Sequence, residues 1–122
     1  MILVDSSAWI DHLRSTDRTL IRFLEMDSVL THPFVIAELA LGRLRQRDQI
    51  IGWLGNLPRA KLATNDELLH FIERQELAGI GIGFVDAHLL ASVALVPDTT
   101  LWTRDRRLHT IAQKLGRGAR LA

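Results

Sequence analysis

Cysteine is absent from the 122 residues. That removes disulfides, thiolate metal sites and a cysteine nucleophile together, and it suits a reducing compartment. A large excess of one charge is absent too. The formal net charge is +1, from 15 Lys and Arg against 14 Asp and Glu, so the chain is neither a strongly basic nucleic-acid binder nor an acidic tail. No apolar run is long enough to cross a bilayer, the longest, Leu89 to Val96, being interrupted by Ser92. The opening Met1-Ile2-Leu3-Val4-Asp5 has no basic segment ahead of a long apolar stretch. A cleaved signal peptide is therefore not expected, and the sequence reads as cytoplasmic with no membrane partner. Common site motifs are missing as well. There is no Walker A sequence, and Gly79-Ile80-Gly81-Ile82-Gly83 follows a helical stretch without dinucleotide-binding spacing. His12, His32, His70, His88 and His109 lack zinc-ligand spacing, and Ser6 and Ser7 lack a G-x-S-x-G frame.

What is present is a globular composition, 48% hydrophobic and 24% charged, in a chain of one domain's length. We read residues 1–122 as a single domain with a core that needs no staples. Strands are expected at 2–4, 28–31, 60–63 and 100–103, with a last one at 119–121. Helices are expected at about 8–13, 17–26, 33–45, 48–54, 64–77, 84–96 and 105–115. Pro33 suits a first turn, and Thr64 with Glu67 has capping-box spacing. Alternating strands and helices imply a parallel sheet covered on both faces, with functional groups at the carboxyl ends of its strands. Asp5 and Asp105 fall near such ends.

Most of the acids sit in polar company. Two do not: Glu38 stands alone within Phe34 to Leu41, and Asp86 within Ile82 to Leu90. A helix apolar on nearly all sides is expected to be buried on nearly all sides, its lone carboxylate with it. Such a group needs a cation or becomes protonated. His32 and Arg43 are the basic side chains nearest Glu38, His88 is nearest Asp86, and none is well placed by spacing. A divalent ion with oxygen ligands is the alternative to a pairing across the fold. Each acid also has a plain structural role open to it: Asp5 and Asp105 as helix caps, Glu38 and Asp86 in structural ion pairs. Trp9, Trp53 and Trp102 lie in apolar periodic runs and are expected to pack rather than stack on bases. Arginine clusters at 43–47 and 104–107 suit a phosphate-rich substrate, with Arg43, Arg104 and Arg106 as candidate contacts.

At these residues the sequence resembles a known family. Val4-Asp5-Ser6-Ser7-Ala8-Trp9-Ile10, Val35-Ile36-Ala37-Glu38-Leu39, Gly83 to Ala91 around Asp86, and Trp102-Thr103-Arg104-Asp105 resemble, in order, the four acidic motifs of PIN-domain toxins of the VapC type. The resemblance covers the whole chain. It implies a three-layer α/β/α sandwich on a central parallel sheet of about five strands. It implies an endoribonuclease dependent on Mg²⁺ or Mn²⁺, the toxin of a type II toxin–antitoxin pair, commonly a homodimer. The partner is a small antitoxin that blocks the site and through which alone DNA is contacted. Asp5 and Asp86 match the direct metal ligands, Glu38 and Asp105 complete the catalytic set, and Ser6 and Thr103 are polar neighbours.

Three rival readings stand beside this one. A phosphoacceptor receiver domain needs an early acidic pair and a late strand-end lysine, but Asp5 has no acidic neighbour and Lys114 falls in a helix. An aspartate-nucleophile hydrolase needs a second Asp where Ser7 stands. A catalytically silent interaction domain of the same fold differs only in lacking activity.

Overall fold

The computed structural model describes residues 1–119 of the chain. Three short strands, β1 (Ile2–Val4), β2 (Val29–Leu30) and β3 (Thr100–Trp102), form a parallel sheet in the order β2-β1-β3. The register sets Leu3 opposite both Leu30 and Leu101, and Val4 opposite Trp102. One further parallel bridge lies beyond each edge, Thr31 with Arg59 and Leu101 with Gly118. These bridges stand where the sequence suggested two more strands. The stretch expected as a strand at 60–63 pairs only as far as Ala60, whose amide donates to the Thr31 carbonyl: beyond it Lys61 and Leu62 turn to solvent, and ahead of it Pro58 has no N–H to extend the ladder. Of the expected strand at 119–121, only Ala119 is among the described residues. Its amide bonds to the Leu101 carbonyl at 2.9 Å.

Seven helices complete the described chain: α1 (Ser6–Arg14), α2 (Arg18–Glu25), α3 (Pro33–Leu41), α4 (Arg47–Gly55), α5 (Asn65–Arg74), α6 (Phe84–Leu95) and α7 (Arg106–Lys114). Adjacent strand residues, which point to opposite faces, are buried in all three strands: Leu3 and Val4, Val29 and Leu30, Leu101 and Trp102. A sheet buried on both faces must be covered on both, which makes the fold a three-layer α/β/α sandwich. Burial of each such side chain is worth roughly 1.5–3 kcal/mol. The most enclosed helix is α6, where every residue from Ala87 to Val93 is buried.

The local signals explain the helix ends. Thr64 and Glu67 form the capping box that starts α5. Asp17 caps α2 by accepting from the amides of Thr19 and Leu20. Helix α3 stops at Leu41, short of the expected 45, because Gly42 turns the chain, and the Arg47 guanidinium reaches back to the freed Ala40 carbonyl at 3.1 Å. Trp9 is buried, with Trp53 edge-on to it at 5.7 Å. Trp102 is buried too, so both enclosed tryptophans serve packing.

Candidate active site

The parallel register makes the site. Because Val4 lies beside Trp102, the next positions, Asp5 and Thr103, are lateral neighbours at the carboxyl ends of β1 and β3. Thr103 Oγ1 donates to Asp5 Oδ2 at 2.7 Å and accepts the Asp105 amide at 3.1 Å. Ser7 Oγ donates to the same carboxylate oxygen at 2.8 Å and accepts the Arg104 amide at 2.9 Å. The other oxygen, Oδ1, accepts the Ser6 amide at 2.8 Å. Asp5 is therefore both the N-cap of α1 and a buried carboxylate, 5% exposed, locked by three donors.

Glu38 reaches this point from α3. Ser6 Oγ donates to Glu38 Oε1 at 3.0 Å and lies 3.5 Å from Asp5 Oδ1, so one hydroxyl sits between two acids. The expectation that Glu38 is enclosed in its helix is not met. Only Val35 and Leu39 of α3 are fully buried, Leu41 is 88% exposed, and Glu38 sits at the rim. A nine-residue helix that is apolar all round has one side on the core and the other in solvent; its composition did not reveal which. Asp86 fits the expectation better. It is half-buried in the first turn of α6.

Electrostatics tie the four acids together. Partial desolvation pushes the Glu38 carboxyl above its usual range; the Ser6 hydrogen bond opposes this, and the charges of Asp5 and Asp86 add to it. Asp86 is pushed up first by burial and then by Asp5, with Asp105 adding to the rise and the Gly83 backbone opposing it. Thus Glu38 feels Asp5 and Asp86, and Asp86 feels Asp5 and Asp105. Asp105 itself is exposed and caps α7, accepting from the amides of Arg107 and Leu108 at 2.9 and 3.1 Å. The capping roles open to Asp5 and Asp105 are both real. They orient the carboxylates and leave other lone pairs available.

No Lys, Arg or His forms an ion pair with any of the four among the described residues; the ion pairs present join Arg47 to Asp48 and Arg104 to Asp11 and Asp17. Nor do three His, Asp or Glu side chains among the described residues form a ready-made cage for a metal. The arrangement is an open acidic cluster. It still fits a hard divalent ion. Mg²⁺ keeps several waters and uses one or two carboxylates with substrate phosphates, and all the donors here are oxygens.

The surroundings are basic. Glu38 edges a groove of about 790 Å³ lined also by Arg14, Arg43 and Arg45. Asp86 and Asp105 line a hollow of about 300 Å³ with Arg106 and Arg107. Of the arginines singled out in the sequence, Arg43 and Arg106 border these hollows. Arg104 is held elsewhere, its guanidinium 3.0 Å from Asp17 and 3.3 Å from Asp11. The glycine-rich loop has a defined role: Gly81 has φ +87°, the Arg107 guanidinium lies where a β-carbon would stand, and Arg107 Nη1 donates to the Gly81 carbonyl at 3.0 Å. This anchors the start of α6, and Asp86 with it, to α7. Sequence reasoning placed Arg107 in an arginine cluster suited to phosphates without foreseeing its hold on Gly81, and it missed the role of Ser7. Ser7 was within reach of it, since a hydroxyl two residues after a strand-end Asp can bond back to that side chain.

Comparison with known proteins agrees with this geometry. The family model described as PIN domain matches residues 2–114. Two curated relatives, both named Ribonuclease VapC32, come from Mycobacterium tuberculosis strains CDC 1551 / Oshkosh and ATCC 25618 / H37Rv. Each is 49% identical over 116 residues, covering 95% of this chain and 94% of the relative. With the parallel sheet and the acids at its carboxyl edge, these matches place the chain in the PIN-domain family, in its VapC group.

Proposed function

We propose that this protein is an endoribonuclease, the toxin of a type II toxin–antitoxin pair, and that it hydrolyses RNA phosphodiester bonds with Mg²⁺ or Mn²⁺. The observation that carries the reading is the acidic cluster: four carboxylates, from residues 5, 38, 86 and 105, coupled at one edge of the sheet with no cationic side chain paired to them among the described residues. Two of them are shifted toward protonation, which a divalent ion reverses. The fourfold match of motif order and the VapC relatives support the same reading.

Asp5 and Asp86 are the residues that would hold the ion, with Glu38 and Asp105 completing its outer shell through water. The ion, when bound, acidifies a water and polarises the phosphoryl oxygen. The chain's own residues do the rest. Ser7 and Thr103 fix the rotamer of Asp5, so its lone pairs face a set direction. Ser6 holds Glu38 close to Asp5 by donating to it. Glu38, exposed at the rim, with its proton affinity raised, is suited to take a proton from the attacking water. Arg43 and Arg106 border the two hollows and would hold backbone phosphates on either side of the cut, giving salt-sensitive binding.

The reading expects two protein partners, a small antitoxin and a second copy of this chain. Leu13 of α1 and Leu41 of α3 leave apolar surface of the kind such contacts cover. Among the described residues no helix is long and apolar enough to cross a membrane, and the reading places the protein in the cytoplasm. The test compares wild type with Asp86→Asn for cleavage of RNA in Mg²⁺, in Mn²⁺ and in chelator. Cleavage by wild type alone, abolished by chelator, is expected. Cleavage that survives chelation would overturn the metal mechanism, and none under any condition would favour the silent interaction domain.

A further inference from the structure

We infer that His32 is a positioning residue: bonded to the amide of Phe34 on one side and to Ser92 on the other, it sets α3, which carries Glu38, against α6, which carries Asp86. This rests on the nuclease reading above and extends it to residues far from the acids. His32 is fully buried, so it acts only through what it holds. It is the N-cap of α3, an unusual choice where Ser, Thr, Asp or Asn lead. An imidazole reaches further than those side chains, because its second polar atom lies across the ring from the one that caps the helix.

The two bonds fix its chemistry. Nδ1 accepts the Phe34 amide at 3.1 Å and so carries no proton. The proton of the neutral ring is then on Nε2, 3.1 Å from Ser92 Oγ, where it is donated across 60 positions of sequence. Burial, and His88 nearby, lower the ring's pKa to about 4, which keeps it in this neutral form at neutral pH. Ring contacts also join the two helices here: Phe34 lies 4.7 Å from His88 and 5.8 Å from Phe84. Such contacts tolerate sliding, whereas a hydrogen bond is directional. Glu38 follows Phe34 by four residues and Asp86 precedes Ser92 by six, so a tilt of either helix at this bond is transmitted to the acid it carries.

The test uses three variants: Ser92→Ala, which removes one oxygen atom and leaves the cap; His32→Asn, which keeps a capping oxygen but falls short of Ser92; and the double variant. Folding is checked by circular dichroism and melting, and all measurements are made well below the melting point. Mn²⁺ affinity is read by calorimetry and single-turnover cleavage of an RNA oligonucleotide is read separately. A positioning bond predicts Mn²⁺ binding weakened about tenfold in Ser92→Ala. The rate should be partly restored by more Mn²⁺, and the double variant should be no worse than the worse single one. If His32→Asn does not fold, Ser92→Ala carries the result. A folded Ser92→Ala with wild-type affinity and rate overturns the inference alone, as do losses that multiply in the double variant. Wild type that neither binds Mn²⁺ nor cleaves overturns it together with the nuclease reading.

Discussion

A buried neutral histidine makes a protein sensitive to acid, and His32 allows the size of the effect to be worked out. Its pKa is about 4 in the folded chain against an ordinary 6.5, burial being the main cause and His88 on α6 the second. Above pH 6.5 both folded and unfolded states leave the ring neutral, and the pair of values contributes nothing. As pH falls below 6.5 the unfolded chain takes up a proton that the folded chain refuses, so stability is lost. The loss levels off below about pH 4. A difference of roughly 2.5 pKa units at 1.36 kcal/mol each bounds it at about 3 kcal/mol, of which roughly 2 kcal/mol is lost by pH 5. This is a large fraction of the stability of a small domain. Wild-type stability alone does not isolate the effect, because Glu38 and Asp86, with raised carboxyls, drive stability the opposite way over part of the same range. The difference between wild type and His32→Asn does isolate it. The variant should be less stable at pH 7.5 by about 1–3 kcal/mol, from the lost Ser92 bond and the smaller side chain. That gap should narrow by about 2 kcal/mol at pH 5. Urea unfolding of both proteins in chelator at four pH values between 7.5 and 5 measures it. A gap that stays constant across the range would refute the claim that His32 is held neutral.

Three more outcomes are expected. Thr103→Val keeps the shape but leaves Asp5 without one of its donors and the Asp105 amide without its acceptor. Stability should fall by about 1–3 kcal/mol, with RNA cleavage reduced at least about tenfold, while Thr103→Ser keeps both; unfolding curves and single-turnover rates check this. Asp86→Asn removes a carboxylate raised by burial and by Asp5. In chelator at neutral pH it should melt no lower than wild type, because its charged form was penalised there. In Mn²⁺ wild type should gain melting temperature and the variant should not; equal gains would remove Asp86 from the ion's ligands. Gly81→Ala adds a β-carbon at φ +87°, against the Arg107 guanidinium. About 1–2 kcal/mol should be lost. Pairing it with Arg107→Ala relieves the collision but not the strained backbone, so recovery should be partial in thermal melts.

Much of the fold was legible because its signals are local. Strand β1 is an apolar run ended by a capping cluster, and the capping box at Thr64 and Glu67 marks the start of α5 within a residue. What failed was non-local or marginal. Among the described residues the outer ladders reduce to single bridges at Arg59 and Gly118, and no periodicity exists in one residue. Helix α3 was read three or four residues too long, because its stop is a Gly42 turn secured by Arg47 from the following helix.

The acids themselves divide the same way. Asp5 could be placed by reasoning, since it ends β1 and parallel sheets gather function at that edge. Glu38 and Asp86 stand out as lone charges in apolar helices, an argument whose expectation of burial fits Asp86 better than Glu38. Partial desolvation at the rim of α3 is still the largest cause of Glu38's raised proton affinity, and the charges of Asp5 and Asp86 add to it from across the fold. Composition reports that a charge is isolated in its own helix. It does not report whether the isolation comes from a dry interior or from like charges that the topology brings alongside. Here both act on Glu38, and the register of β1 against β3 aligns Thr103 with Asp5, so the same backbone pairing builds the sheet and positions one side of the site.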